Sequence, residues 1–290
     1  MDILFLEPFY SGSHKSWLKG ITRHSRHTIT TLGLRGHYWK WRMHGAAYTL
    51  SEIFKKSDLP DMILASDMLD LATFLSLTRR HLPPTLPVGL YFHENQLEYP
   101  WQETSEDVQR GRELHYGFIN YNSALAADFL LFNSRWNRDS FFTRLEGLLK
   151  KMPDKQHKGS TARLRARSHI MPIGMDLSAL SARDPVYLAP EPLIIWNHRL
   201  EHDKGPLEFF EILLTLQEEG LPFTLALMAE ITPLTPSPVR RLIDELGARV
   251  LRLGMLSLSE YSSWLRAGSI LPVTSRHDFF GISIFECERV

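Results

Sequence analysis

Short apolar runs of four to nine residues alternate with longer mixed segments along almost the whole chain, and most of the runs stop at polar or turn-forming residues. That alternation constrains the fold more than any other feature. Runs of this length, rich in Ile, Leu, Val and Phe, read as strands buried on both faces of a parallel sheet. In the first half they fall at 2–9, 27–34, 61–65, 88–92, 129–132 and 169–173, and in the second at 193–196, 223–229, 250–253 and 270–273. Helices are expected between them, beginning at 15–21 with Ser13 as cap, then at 50–56, 69–80, 116–128 and from the Asn133-Ser134 cap to 149. The later helices are expected at 206–219, opened by Pro206, and at 239–246 and 259–266. Repeated βαβ in both halves implies two doubly wound α/β domains, 1–180 and 191–290, with a ligand site in the cleft between them. The Pro-rich segment 182–192 reads as their connection, and the basic, apolar-poor segment 150–167 as a mobile loop or linker.

Composition removes several classes of function. A single cysteine, Cys287, excludes an internal disulfide and any Cys-rich zinc site. No apolar run approaches the length of a membrane span, and the first residues lead directly into a strand without a basic leader or a small-residue cleavage site, so a cytoplasmic protein with no membrane contact is expected. Lys and Arg balance Asp and Glu at 33 each, yet the halves differ: residues 1–176 hold 23 basic and 18 acidic side chains, and the remainder 10 and 15. Between Pro8 and Ser51 there is no acid, against seven Lys/Arg and five His. Such local asymmetry points to an anionic partner of the N-terminal half.

Polar residues at strand ends form the candidate site, because open α/β sheets hold ligands at the carboxyl ends of their strands. Gly12, Ser13, His14 and Lys15 follow the first strand as a generic anion or substrate cradle. His93, Glu94, Asn95 and Gln96 follow the fourth; His93 can donate to a sugar hydroxyl or to developing charge and Glu94 can act on a proton, unless the segment is simply a capped turn. Residues 36–42, GHYWKWR, interleave aromatics and cations as single-stranded nucleic acid requires, and Trp39, Lys40, Trp41 and Arg42 are its candidates. Packing of the tryptophans against their own domain is the competing reading. Arg199 and Lys204 lie in a strand-to-helix loop suited to clamping a pyrophosphate, whereas zinc or other metal sites at His93 or at His198 and His202 are poorly supported by spacing. Finally, 277–286, HDFFGISIFE, places Asp278 and Glu286 eight positions apart around a turn at Phe280-Gly281. Ile282 and Ser283 then open a helix whose free N–H groups favour a phosphate, with His277 adjacent and Glu286 able to accept ribose hydroxyls. An amphipathic helix with a solvated Glu is the alternative. With no Asp-X-Asp pair at a strand end, fixed cations and helix N–H groups would neutralise a diphosphate leaving group, and no metal or other cofactor is expected.

Asp278…Glu286 resembles the carboxylate-X7-Glu signature of retaining glycosyltransferases with two Rossmann-like domains, the GT-B fold of glycosyltransferase family 4. Four further blocks, at 6–17, 91–100, 130–141 and 194–206, together resemble the tRNA-queuosine mannosyltransferase family. That resemblance implies a metal-independent, retaining transfer of mannose from the nucleotide sugar GDP-mannose to queuosine in the anticodon loop of tRNA-Asp. By position it implies His93, Glu94 and Asp278 as catalytic, and Gly12, Ser13, Arg199, Lys204, His277, Phe280, Gly281, Ile282, Ser283 and Glu286 around the donor. His14, Lys15, Trp39, Lys40, Trp41, Arg42, Asn95 and Gln96 fall on the acceptor side. Two departures stand out. The first carboxylate is usually Glu and here is the shorter Asp278; and relatives continue past the motif, whereas this sequence stops at Val290, so the C-terminal domain is expected to be incomplete here. The alternatives are a family 4-like enzyme with a glycan or small-molecule acceptor, and a truncated protein that binds tRNA or nucleotide sugar without turnover.

Overall fold

The computed structural model describes residues 1–102, 104–181, 190–233 and 235–288. It divides into two compact units, Met1–Met175 and Asp176–Val290. The expected connection at 182–192 lies outside the described residues as far as 189, as do Arg289 and Val290 of the C-terminal tail.

In the first unit the chain runs β1 (Asp2–Tyr10), α1 (Gly12–His24), β2 (Thr28–Arg35), α2 (Trp39–Phe54), β3 (Met62–Ser66), α3 (Leu71–Thr78) and β4 (Val88–Phe92). It continues through α4 (Glu106–Gln109), α5 (Glu113–Ala126), β5 (Phe129–Phe132), α6 (Arg135–Lys150), α7 (Ser160–Ala166) and β6 (Ser168–Ile170). All six strands pair in parallel in the order β2-β1-β3-β4-β5-β6. The order reverses about β1, so the crossovers diverge there and open a crevice at the carboxyl ends of β1 and β3. One face of the sheet is covered by a core that includes Leu50, Phe54, Phe74, Phe141 and Phe142, the other by Trp17 and Leu18 of α1 packed on Phe5 and Tyr91.

The second unit contains β7 (Leu193–Trp196), α8 (Pro206–Glu218), β8 (Thr224–Leu227), α9 (Ser237–Leu246), β9 (Val250–Leu253), α10 (Leu258–Ala267) and α11 (Ile282–Glu288). Its strands pair in parallel in the order β7-β8-β9, around a core of Trp196, Phe209, Phe210, Leu225 and Ile243. Among the described residues no helix is long and apolar enough to cross a membrane.

Several expectations need correcting. Pro8 does not end β1, which continues to Tyr10 through a shift in register after Glu7. The missing N–H of Pro8 costs nothing there, because the irregularity falls where ladder bonds are already interrupted. Ser13 is not the cap of α1: the helix opens at Gly12, whose φ is +50°, and Ser11 is the cap residue. Residues 39–42 are not in a loop but form the first turn of α2. Nor is 150–167 wholly a linker, because 160–166 coil into α7, anchored by buried Leu164 and by Ser160, which accepts from the Tyr121 hydroxyl at 3.0 Å. The strand expected at 270–273 shrinks to a single bridge between Ile194 and Ile270.

Candidate active site

Glu7 is the pivot of the first unit's crevice, and its side chain is fully buried. A carboxylate there needs partners to offset lost hydration, and it has them. The Phe9 N–H (2.9 Å) and the Ser66 hydroxyl (3.0 Å) donate to Oε1, and His14 Nδ1 lies 3.1 Å from Oε2. Burial pulls the His14 imidazole toward the neutral form, but the adjacent Glu7 charge and hydrogen bond overcome it and raise its pKa to about 9. At neutral pH His14 is therefore an imidazolium donating through Nδ1.

His93 stands beside it, with ring centroids 4.0 Å apart and the planes tilted by 33°. Burial, and then the charge on His14, hold its pKa well below the usual histidine range. The ring is wedged by Trp17 at 4.8 Å and Tyr91 at 4.8 Å, and Trp17 stacks on Tyr91. Its backbone is fixed as well, since the N–H donates to Asp67 Oδ1 at 2.9 Å and the carbonyl accepts from Asn133 Nδ2 at 2.7 Å. Nε2 of His93 is buried and makes no hydrogen bond among the described residues. Glu7 Oε2, at 3.8 Å, lies beyond hydrogen-bonding reach. Asp67 is fully buried, and burial followed by the charge of Glu94 raises its pKa well above the carboxylate range. The outcome is one charged imidazole, held by Glu7, beside one neutral imidazole with a free ring nitrogen at the end of β4.

Glu7, His14 and His93 each offer a ligand atom within 4.8 Å of the others. The ring planes are tilted by 33°, and His14 Nδ1 is already engaged by Glu7 at 3.1 Å. That geometry suits an ion pair next to a neutral ring better than a zinc centre. The spacing of His198 and His202 yields no comparable cluster among the described residues.

The expected acceptor residues separate into two groups. Asn95 and Gln96 are buried: Asn95 Nδ2 donates to Asn137 Oδ1 at 2.8 Å, its Oδ1 accepts from the Glu98 N–H, and the Gln96 N–H donates to Asn120 Oδ1 at 2.8 Å. The Asn95 amide braces the loop, whereas Gln96 Oε1 is buried without a hydrogen bond among the described residues. Gln96 Nε2 also donates to Glu94 at 2.8 Å. Trp39 packs with Tyr99, Trp101 and Tyr116, and Lys40 pairs with Asp107 while its ammonium lies over the Trp39 and Trp101 rings. Trp39 thus packs within its own unit, and Lys40 is held by an ion pair rather than left solvated. Trp41 is exposed, Arg42 donates to the Arg35 carbonyl, and Lys15 is exposed with its ammonium over Tyr10.

In the second unit, Gly281 takes φ +80° and its N–H donates to Asp278 Oδ1 at 3.1 Å, closing the turn that feeds α11. Lys204 reaches across to the same carboxylate: its ammonium lies 3.1 Å from Asp278 Oδ2, 3.2 Å from Asp203 and 3.4 Å from the His277 carbonyl. Arg199 is exposed and pairs with Glu201. Glu286 accepts from the Tyr261 hydroxyl at 2.7 Å, and burial raises its pKa. Asn197 Nδ2 donates to the Ser283 carbonyl at 2.9 Å and to the Tyr261 hydroxyl at 3.0 Å, while the Ser283 hydroxyl meets His198 Nδ1 at 2.8 Å. Phe280 stacks on Phe285, 5.3 Å between centroids, so Glu286 is not on a wholly solvated helix face. Within this unit Lys204 and Asp278 meet directly, while Arg199 pairs with Glu201 and Glu286 is tied to Tyr261; Gly12 and Ser13 belong to the first unit.

Sequence reasoning missed Glu7, Asp67, Ser66, His198 and Tyr261. For Glu7 a signal existed, an acid inside an otherwise apolar run and directly before Pro8.

Residues 2–175 match the family model described as tRNA-queuosine alpha-mannosyltransferase N-terminal. A Drosophila melanogaster protein named tRNA-queuosine alpha-mannosyltransferase is 30% identical over 293 residues, covering 98% of this chain and 76% of the relative. Among solved structures, the N-terminal domain of Candida albicans trehalose-6-phosphate phosphatase superposes with a TM-score of 0.66 at 13% identity, over 99% of this chain and 79% of that one. A UDP-forming α,α-trehalose-phosphate synthase from Burkholderia xenovorans gives 0.60 at 14% identity, over 98% and 80%. The catalytic domain of Arabidopsis thaliana starch synthase IV, solved with ADP and acarbose, gives 0.60 at 11% identity, over 100% and 81%. At such identities the structural likeness speaks for the fold alone, and it is that of the GT-B glycosyltransferases.

Proposed function

This chain belongs to the tRNA-queuosine alpha-mannosyltransferase family, and from that membership we propose that it transfers mannose from GDP-mannose to a hydroxyl of queuosine in the anticodon loop of tRNA-Asp, with retention and without a metal. It is a glycosyltransferase; donor, acceptor and stereochemistry are the proposed part. What carries the reading is the family match together with a neutral His93 whose buried Nε2 is free of hydrogen bonds at the carboxyl end of β4.

In the proposed reaction the acceptor oxygen bonds to the anomeric carbon as the bond from that carbon to the phosphate oxygen breaks, and GDP leaves from the same face. The acceptor proton passes to the leaving phosphate. Charge develops on that phosphate, and Lys204 with the N–H groups opening α11 would stabilise it. Lys204 now rests on Asp203 and Asp278, so an incoming diphosphate would exchange one of those carboxylates for itself. Glu286, held by Tyr261, would accept the ribose hydroxyls of the donor. His93 would hydrogen-bond the transferred sugar; as a neutral imidazole it can either donate or accept there.

The test is to incubate the protein with GDP-mannose and queuosine-containing tRNA, digest the RNA and weigh the nucleosides. A hexose increment on queuosine, with the α-anomer in the product and undiminished rate under a chelator, is the expected result. Transfer to glycans but not to tRNA would overturn the acceptor. A rate abolished by chelation and restored by a divalent cation would overturn metal independence.

A further inference from the structure

The GHYWKWR segment splits in the structure. Trp39 and Lys40 turn into the unit's own packing, while Tyr38 and Trp41 stay at the surface with 82% and 64% of their area exposed. The backbone around each is distinctive: Tyr38 has a positive φ, and Trp41 has a glycine one turn on. Tyr38, the residue before α2, has φ +51° and ψ +54°, a left-handed conformation that costs a bulky residue about 1–3 kcal/mol and tends to persist at functional positions. Trp41, on the first turn of α2, lies against Gly45 one turn on. A methyl group at Gly45 would stand 2.6 Å from the indole Cζ2 and 2.7 Å from Cε2. The lack of a side chain at Gly45 therefore leaves room for the indole against the helix, while Trp41 remains largely exposed.

The surrounding sequence is basic, although Lys40 within it is paired with Asp107. Arg42 donates through Nε and Nη2 to the Arg35 carbonyl, joining the start of α2 to the end of β2. No acid occurs from Pro8 to Ser51, among seven Lys/Arg. His44, one turn beyond Trp41, stacks on His115 with centroids 4.8 Å apart, and Tyr48 follows at 63% exposure. Tyr38 follows the carboxyl end of β2, as His93 follows that of β4, and the strands between them are all parallel. The rings thus occupy the same edge of the sheet as the Glu7–His14–His93 cluster. Flat aromatic faces bordered by cations are what unpaired nucleobases stack on.

We propose that Tyr38 and Trp41 form a stacking platform for an unpaired base of the RNA acceptor, adjacent to the modified nucleotide. This rests on the tRNA reading above and assigns it a surface. The experiment uses two substitutions that favour the fold while damaging the platform. Gly45→Ala improves helix propensity but displaces the indole, and Tyr38→Gly relieves the positive φ but removes the ring. Trp41→Ala and Tyr38→Phe complete the set. With queuosine-containing tRNA and GDP-mannose, Gly45→Ala, Tyr38→Gly and Trp41→Ala are expected to raise KM for tRNA about tenfold or more. Their kcat, donor affinity and melting temperature should stay near those of the parent, and Tyr38→Phe should behave as the parent. Unchanged KM for tRNA in Trp41→Ala and Tyr38→Gly overturns the platform while leaving the functional reading intact. A parallel loss of donor affinity and melting temperature overturns it too, by showing a folding role. If the parent protein glycosylates a glycan and neither binds nor modifies tRNA, the functional reading and the platform fall together.

Discussion

Two histidines whose rings lie 4.0 Å apart carry different charge because one faces a buried carboxylate, whereas the other is neutralised by its own burial and then by the charge on the first. The arrangement has a measurable sign. A group whose pKa is raised on folding contributes stability that is complete below its unfolded pKa and is lost as pH rises through the folded one. For His14 that window runs from 6.5 to about 9. The protein is therefore expected to lose stability across this range, on the order of 3 kcal/mol. In Glu7→Gln, which keeps an acceptor for Phe9 and Ser66, the slope should flatten; melting curves at stepped pH would check this, and an unaltered slope would assign it elsewhere. The same change should slow transfer by altering the charge beside His93, whereas His93→Ala should cost roughly 10²–10⁴ in kcat if its ring acts on the reacting sugar. Retention of parental rates by His93→Ala would remove it from the mechanism. None of this was visible at Glu7 alone. The carboxylate reads as part of a strand until folding brings Ser66 and His14 to it from 59 and seven positions away.

At the scale of elements, most strands were legible because short apolar runs buried on both faces leave few alternatives. What escaped was set by contacts distant in sequence. α7 hides in a basic segment because a single buried leucine, Leu164, anchors it. The first turn of α2 escaped because Tyr38 precedes it in a left-handed conformation rather than as a conventional cap. β4 shows how tight the sheet is: at Gly89 a methyl group would lie 2.5 Å from Leu64 Cδ2 and from the Phe129 ring. Gly89→Ala is thus expected to destabilise by about 1–3 kcal/mol, read as a lowered denaturant midpoint; an unchanged midpoint would mean the sheet yields there. α10 begins with a capping box between Ser257 and Glu260 and presents Tyr261 to Glu286. Tyr261→Phe should raise KM for the donor several-fold with little effect on KM for tRNA, because Glu286 loses the hydroxyl that orients it. Equal effects on both constants would contradict that division of labour.

Across the whole molecule, zero net charge conceals a surplus of five positive charges in residues 1–176 and an equal negative surplus beyond. Binding of tRNA should therefore weaken steeply with salt even though the protein is neutral overall, each phosphate contact contributing a slope of roughly 0.7–0.9 in log–log form. A salt-independent affinity would argue against a role for this basic surface. The fold class and the blocks of similarity were legible from sequence; the partition of candidate residues between scaffold and surface was not, since burial decides it and burial belongs to the folded chain. The position of β1 carries one more consequence. It precedes both of its neighbours in sequence, yet it lies inside the sheet between β2 and β3. Asp2 reaches its partner Asp61 only across 59 residues. During synthesis the apolar stretch from Ile3 to Leu6 must therefore wait, half-covered at best, until β3 has emerged.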